Sequence, residues 1–169
     1  MDITIIDDIP FKIEAEQLYP FLKIKPGSRF AVRLDNLLDE ALGIARPKVA
    51  YKLSGSEPGD DGNVIVDGVP LLSRVMQINL KDSRRVFPFV ATCGMELEQW
   101  SQSLDGTLEK FWADTINMMA LGSAIEAFKN HMTQRFETGM TSTMNPGSLE
   151  DWPIIEQFKI FSLIGEACE

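Results

Sequence analysis

Asn145-Pro146-Gly147-Ser148 carries proline and glycine at the two central positions of a four-residue turn, the order a type II turn demands. Such a turn leaves backbone N–H and C=O groups open at its tip, where a polar ligand can take them up. The turn runs through Leu149-Glu150-Asp151-Trp152-Pro153 into an apolar helical pattern, and it follows a long helical segment that carries Glu126. At about 100° per residue, Glu126 falls on an apolar face near Ser123, with Gly122 beside it. An unpaired carboxylate there is expensive, so Glu126 is expected either to accept hydrogen bonds from a ligand or to serve as a salt-bridged structural acid.

Two other side chains invite chemistry. Cys93 sits where a strand hands over to a helix, a position at which helix N–H groups favour a thiolate. A thiol enzyme built on it is one reading, and a small buried hydrophobe at a strand end is the favoured one. His131 is the only histidine, so any Ser-His-Asp or Cys-His arrangement would have to recruit it from a helix, where a solvated or core-edge role is commoner. There is no phosphate-binding GxxxxGK[ST] loop, no GxGxxG, no HExxH and no DxDxDG calcium loop, although Gly59-Asp60-Asp61-Gly62-Asn63 superficially invites the last. No catalytic residue and no metal ligand is assigned.

Composition narrows the class. A chain of 169 residues with 44% hydrophobic content is expected to form a single domain, 1–169, with its own core. Sixteen Lys and Arg against 25 Asp and Glu give a net charge of −9, which repels a phosphate backbone, so nucleic acid is not an expected partner. The one basic pair, Arg84-Arg85, is read as a solvated turn. MDITIIDDIP lacks the marks of a signal peptide, and no apolar run approaches the roughly 20 residues of a membrane span, so a cytoplasmic location is expected. Cys93 and Cys168 are too few and too far apart for a disulfide framework or a four-ligand zinc set.

The elements that must position these residues follow from periodicity. Residues 3–6 and 11–13 are short β-type runs. Ser28 is a plausible N-cap for a helix that lines up Leu34, Leu37, Leu38, Ala41 and Leu42. Val49, Tyr51 and Leu53 alternate as a half-buried strand, and the polar stretch GSEPGDDGN reads as a mobile loop. Asp67-Gly68 between two apolar runs signals a hairpin, because both residues tolerate positive φ. SRVMQINL reads as a short helix, RVFPFVATCG as one apolar strand, and MELEQWSQSL as a helix. The long helix, 107–136, carries Trp112, Ile116, Met119 and Ser123 on one face and Leu121, Ile125, Phe128 and Met132 on roughly the opposite one, with Glu109, Ala113, Ala127 and His131 leading out to solvent. A last helix follows Pro153, with Asp151 as its cap and Ile154, Phe158 and Phe161 on one stripe. This mixture of hairpins and helices favours α+β.

Taken in order, Ala91 to Trp100 (ATCGMELEQW), Gly122 to Phe128 (GSAIEAF) and Met144 to Gly165 (MNPGSLEDWPIIEQFKIFSLIG) resemble the activation domain of vitamin B12-dependent methionine synthase, and most closely its free-standing relatives. The similarity covers 64–169; residues 1–60 match only in general pattern. The resemblance implies an α+β domain around a twisted antiparallel sheet with helices packed about it. It also implies binding of S-adenosylmethionine along an extended segment containing Pro-Gly, docking on a protein that carries cobalamin, and support for reductive remethylation of the cobalt.

Carried over by position, the ligand segment is Thr143, Met144, Asn145, Pro146, Gly147 and Ser148, and Glu126 resembles an acidic contact in the long helix. The family has Arg where Thr143 stands and Tyr where Ser148 stands. An Arg grips a carboxylate through two charge-assisted bonds, whereas Thr offers at most one weaker neutral bond. The family also continues past the final helix, which implies a shortened C-terminal end. The implied partners are a corrinoid-binding protein or methyltransferase and an electron-transfer protein, with self-association open. The alternative is a scaffold or dimerisation module that keeps the fold and has lost the ligand.

Overall fold

The computed structural model describes residues 2–60, 62–83, 85–136 and 141–165. In chain order the first elements are β1 (Thr4–Ile6), α1 (Ala15–Leu22), α2 (Arg29–Ile44), β2 (Lys48–Tyr51), β3 (Ser54–Pro58), β4 (Asn63–Val66) and β5 (Val69–Leu72). There follow α3 (Arg74–Leu80), β6 (Arg85–Val86), β7 (Phe89–Thr92), α4 (Met95–Ser103), α5 (Thr107–Phe136) and, after a 3-10 turn at Ile154–Glu156, α6 (Gln157–Ile164). The class is α+β, as expected. In place of one twisted sheet there are two small ones, ordered β1-β2-β7 and β5-β4-β3-β6. The chain groups into two compact units, each assembled from distant segments: Met1–Ile5, Ala50–Val90 and Arg135–Glu169 in the first, Ile6–Val49 and Ala91–Gln134 in the second.

The second unit is helical. Ser28 caps α2 as its position demands, its Oγ accepting the Ala31 N–H at 3.3 Å, and Leu34, Leu37, Leu38 and Ala41 are buried along one stripe. The expected strand at Phe11–Ile13 is absent. Those side chains instead pack against the helical core while their backbone leads into α1, where the Gln17 side chain accepts the Glu14 N–H at 2.8 Å. Sequence pattern alone concealed α1, for Pro20 lies inside it.

The core gathers Leu18, Leu34, Leu97, Trp112 and Ile116, with Phe30 set edge-on to Trp112 at 6.3 Å between ring centres. Helix α5 runs over the expected span and buries Trp112, Ile116, Phe128 and Met132 from its two expected apolar faces, with Ala113, Ala120 and Ala124 buried beside them. Ala113, expected on the way to solvent, is fully buried. Glu109, expected beside it, is only 12% exposed and ion-pairs with Arg33.

The first unit holds the four-stranded antiparallel sheet. Asp67 (φ 46°) and Gly68 (φ 82°) close the β4–β5 hairpin with both central residues left-handed, the type I′ geometry that the Asp-Gly pair predicted. The Asp67 carboxylate accepts the Gly55 N–H at 3.0 Å and pairs with Lys52 at 2.9 Å. That contact draws the polar stretch after Leu53 into register, so Ser54–Pro58 is a strand with Ser56 opposite Val66, and the expected loop is corrected. The run RVFPFVATCG is likewise two strands in different sheets, interrupted at Phe87-Pro88. In β2, the middle strand of three, Val49, Ala50 and Tyr51 are buried in succession where alternation was expected.

Asp151 caps a helix, though not the one after it. Its carboxylate accepts the Ser73 hydroxyl at 2.8 Å and the Val75 N–H at 3.1 Å, and Ser73 Oγ in turn accepts the Met76 N–H at 3.0 Å, so the cap belongs to α3. Glu156 reaches the Leu72 N–H at 3.3 Å and pairs with Lys159 at 2.8 Å. These carboxylates tie the C-terminal segment to the hairpin over a core of Val64, Val66, Leu71, Met76, Trp152 and Leu163.

Hydrogen bonds from Ser73 and Val75 hold the Asp151 carboxyl below its ordinary 3.8, and the Lys52 ammonium does the same for Asp67. A depressed folded-state pKa means that the unfolded chain binds more protons at mildly acid pH, so the stability these groups contribute is complete above about pH 4 and is lost as pH falls through the folded-state values. Urea midpoints measured between pH 6 and pH 2 are expected to fall on acidification, and the fall should be shallower in Asp151→Asn. An unchanged slope in that variant would show that Asp151 contributes nothing to the acid limb.

Candidate functional site

The turn has the expected shape. Gly147 sits at φ +86° and the Ser148 N–H closes onto the Asn145 carbonyl at 2.9 Å, as in a type II turn. A Cβ on Gly147 would also approach the Ile154 side chain to 3.3 Å, so glycine is needed there for conformation and for space. Its amides are not open. The Gly147 N–H donates to the Trp152 carbonyl at 2.6 Å, the Asn145 N–H donates to Ser148 Oγ at 3.0 Å, and that hydroxyl donates back to the Asn145 carbonyl at 2.6 Å. Pro146 has no N–H. Every backbone donor of the tetrapeptide is therefore used within the loop, which corrects the expectation of free donors at its tip.

The side chains around the turn divide by exposure. Thr143, Asn145 and Ser148 are exposed. Met144 is half-buried against the first unit's core, and its sulfur accepts the Asn79 amide at 3.7 Å. Trp152, 3% exposed, fixes the loop from below: its carbonyl holds Gly147, and a short bridge pairs it with Leu149. Sequence reasoning did not single out Trp152 as the anchor, although an aromatic residue just before Pro153 was its visible signal.

Beyond the turn, the stripe expected on the last helix is turned outward. Ile154, Ile155 and Phe158 are 65%, 60% and 59% exposed, whereas Leu163 and Ile164 are buried. Asp151 and Glu156 select this orientation by binding the start of α3 and the end of β5.

Glu126 is exposed on α5, in the second unit, while the turn belongs to the first. The apolar burial that made its carboxylate costly is therefore absent, because the helix buries Ala120, Ala124 and Phe128 instead. His131 is half-buried on the same helix. Among the described residues no group of three His, Cys, Asp or Glu side chains could hold a metal ion. Arg84, Asp61 and Cys168 lie outside the described residues.

Burial pushes the Cys93 thiol up from its ordinary value, and the Glu98 carboxylate pushes in the same direction. The helix N-terminus does not win: Cys93 Sγ lies 3.7 Å from the Gly94 carbonyl, a contact that favours the thiol. Alkylation of Cys93 by iodoacetamide at pH 7.5 is expected to run several-fold slower than that of a free cysteine, read by intact mass under native conditions. Faster reaction would restore the thiol-enzyme reading.

Fold and site together define an α+β protein that presents a self-paired turn and an outward apolar helix. No protein-family model matches the chain, and no curated protein matches it. No helix among the described residues is long and apolar enough to cross a membrane.

Proposed function

We propose that this chain is a cytoplasmic accessory protein of cobalamin-dependent methyl transfer, docking on a corrinoid-binding protein with the apolar face that follows the turn. The observation that carries the reading is the exposure of Ile154, Ile155 and Phe158 inside the very segment, Met144 to Gly165, that resembles the methionine synthase activation domain. Large apolar side chains held outward by two carboxylate anchors are costly in isolation and useful at an interface. In this reading the partner's cobalamin supplies the methyl and electron transfer, and the present chain supplies position and shielding.

The same resemblance offers S-adenosylmethionine to Thr143–Ser148 and carries Glu126 over as an acidic contact. The turn does not fit a ligand held by its amides, since Asn145, Gly147 and Ser148 spend their N–H groups internally.

The test is binding of the purified chain to a panel of corrinoid proteins loaded with cobalamin, followed by surface-plasmon resonance and the cobalamin spectrum. A complex weakened at least tenfold by Phe158→Asp is expected, since a charge buried in an apolar contact loses more than the roughly 1.4 kcal/mol that a factor of ten represents. No complex across the panel, with a folded sample, would sink the reading. A second reading, a scaffold or dimerisation module without ligand, is favoured by the self-paired turn. It predicts a heat-silent titration with S-adenosylmethionine and a concentration-dependent sedimentation coefficient that Phe158→Asp abolishes.

A further inference from the structure

The second unit contains a cavity of about 540 Å³ between the Phe11–Glu16 segment and one face of α2, within the size range of sites that hold specific ligands. Its floor is apolar. Phe11 and Ile13 alternate inward from the extended segment, and Leu38 and Leu42 face them from successive turns of α2. Its rim is acidic: Glu14, Glu16, Asp35 and Asp39 stand around the opening with Lys12 as the one cation.

Part of that acidity has a structural role. Glu16 lies in the first turn of α1, where a carboxylate suits the helix dipole, and Asp35 accepts the Tyr19 hydroxyl at 3.0 Å. Asp39 has no such role, for among the described residues it has no hydrogen-bond or ion-pair partner. It also stands one helical turn from Asp35, a like-charge spacing that weakens α2. None of the ion pairs Arg33–Glu109, Lys52–Asp67 and Lys159–Glu156 engages the rim. An apolar floor ringed by uncompensated carboxylates is complementary to a segment that sets large apolar side chains between cations.

We infer that this groove docks a short basic, amphipathic segment of a partner protein, with Phe11, Ile13, Leu38 and Leu42 receiving its apolar side chains and Glu16, Asp35 and Asp39 pairing with its Lys or Arg. The cations relieve the repulsion between Asp35 and Asp39, and the apolar floor selects against purely polar cations. This stands apart from the corrinoid reading, since the groove and the last helix belong to different units and either can fail alone.

The experiment titrates the full-length, isotope-labelled chain with the acetylated pentapeptide Lys-Phe-Lys-Leu-Lys and follows amide shifts. Shifts confined to 11–16 and 35–42, an affinity lowered about tenfold in Asp39→Lys, a similar loss for Lys-Gly-Lys-Gly-Lys, and weakening as sodium chloride rises from about 50 to about 500 mM are expected. Glu16→Lys, also at an exposed position, serves as a second charge reversal should Asp39→Lys unfold. Shifts mapping elsewhere, unaltered affinity in a folded charge-reversal variant, or equal binding of the glycine peptide or of spermine would overturn the inference, the last two by showing that charge alone is recognised.

Discussion

Gly94→Ala is expected to destabilise the protein by about 3 kcal/mol or more in urea unfolding at neutral pH. Gly94 stands at φ 102°, ψ 138°, a conformation that side-chain-bearing residues avoid. The space is also filled: a Cβ there would lie 2.8 Å from the Arg46 carbonyl oxygen and 3.1 Å from two further backbone atoms of the same residue. Backbone cannot swing aside as a flexible side chain does, so strain and overlap add. The position matters because it starts α4, the Glu98 N–H donating to the Gly94 carbonyl at 3.2 Å, while the Gly94 N–H is held by Thr92 Oγ1 at 3.1 Å. Gly122→Ala is the contrast. It lies within α5 with open space where its Cβ would go, so alanine is expected to stabilise by about 0.5–1 kcal/mol. If Gly94→Ala unfolds within 1 kcal/mol of the parent, the close approach to Arg46 is not a feature of the folded chain.

Trp152→Ala is expected to cost about 3–5 kcal/mol, the range for deleting a large aromatic side chain from a well-packed core. Trp152 is buried with Val64, Val66, Leu71, Met76 and Leu163, so its removal empties the centre of the first unit. It also lies under the turn whose Gly147 N–H its carbonyl accepts. Hydrogen exchange should therefore accelerate at Gly147 and Ser148 together with the global loss. Trp152→Phe separates volume from hydrogen bonding. The indole N–H is buried and finds no acceptor among the described residues, so phenylalanine forfeits packing alone and should cost only about 1–2 kcal/mol. Equal losses in the two variants would mean that the indole N–H is satisfied after all. If docking through Ile154 and Phe158 is the function, Trp152→Ala should also weaken it, because the anchored turn sets where the apolar face begins.

Ser28 before a 3.6-residue apolar pattern and Asp67-Gly68 between two strands both acted as expected, because each signal is local: a hydroxyl meets an amide three residues on, and a turn needs two residues that tolerate positive φ. Pro146-Gly147 belongs to the same group, and the turn's shape was legible for that reason. What its amides bind was not, since the Gly147 partner is a carbonyl five residues later that could equally have faced solvent.

Propensity, capping and backbone sterics act within a few residues, and they suffice for the α+β class, the extent of α5, the hairpin at Asp67-Gly68 and the turn at Asn145–Ser148. Contacts between distant segments make Ser54–Pro58 a strand, bring Asp151 to cap α3 across more than seventy residues of chain, leave Glu126 facing solvent, and turn Ile154 and Phe158 outward. An apolar stripe states that a helix has a face to bury. Which face wins depends on the partners that distant segments bring, and here two carboxylates reaching α3 and β5 chose it.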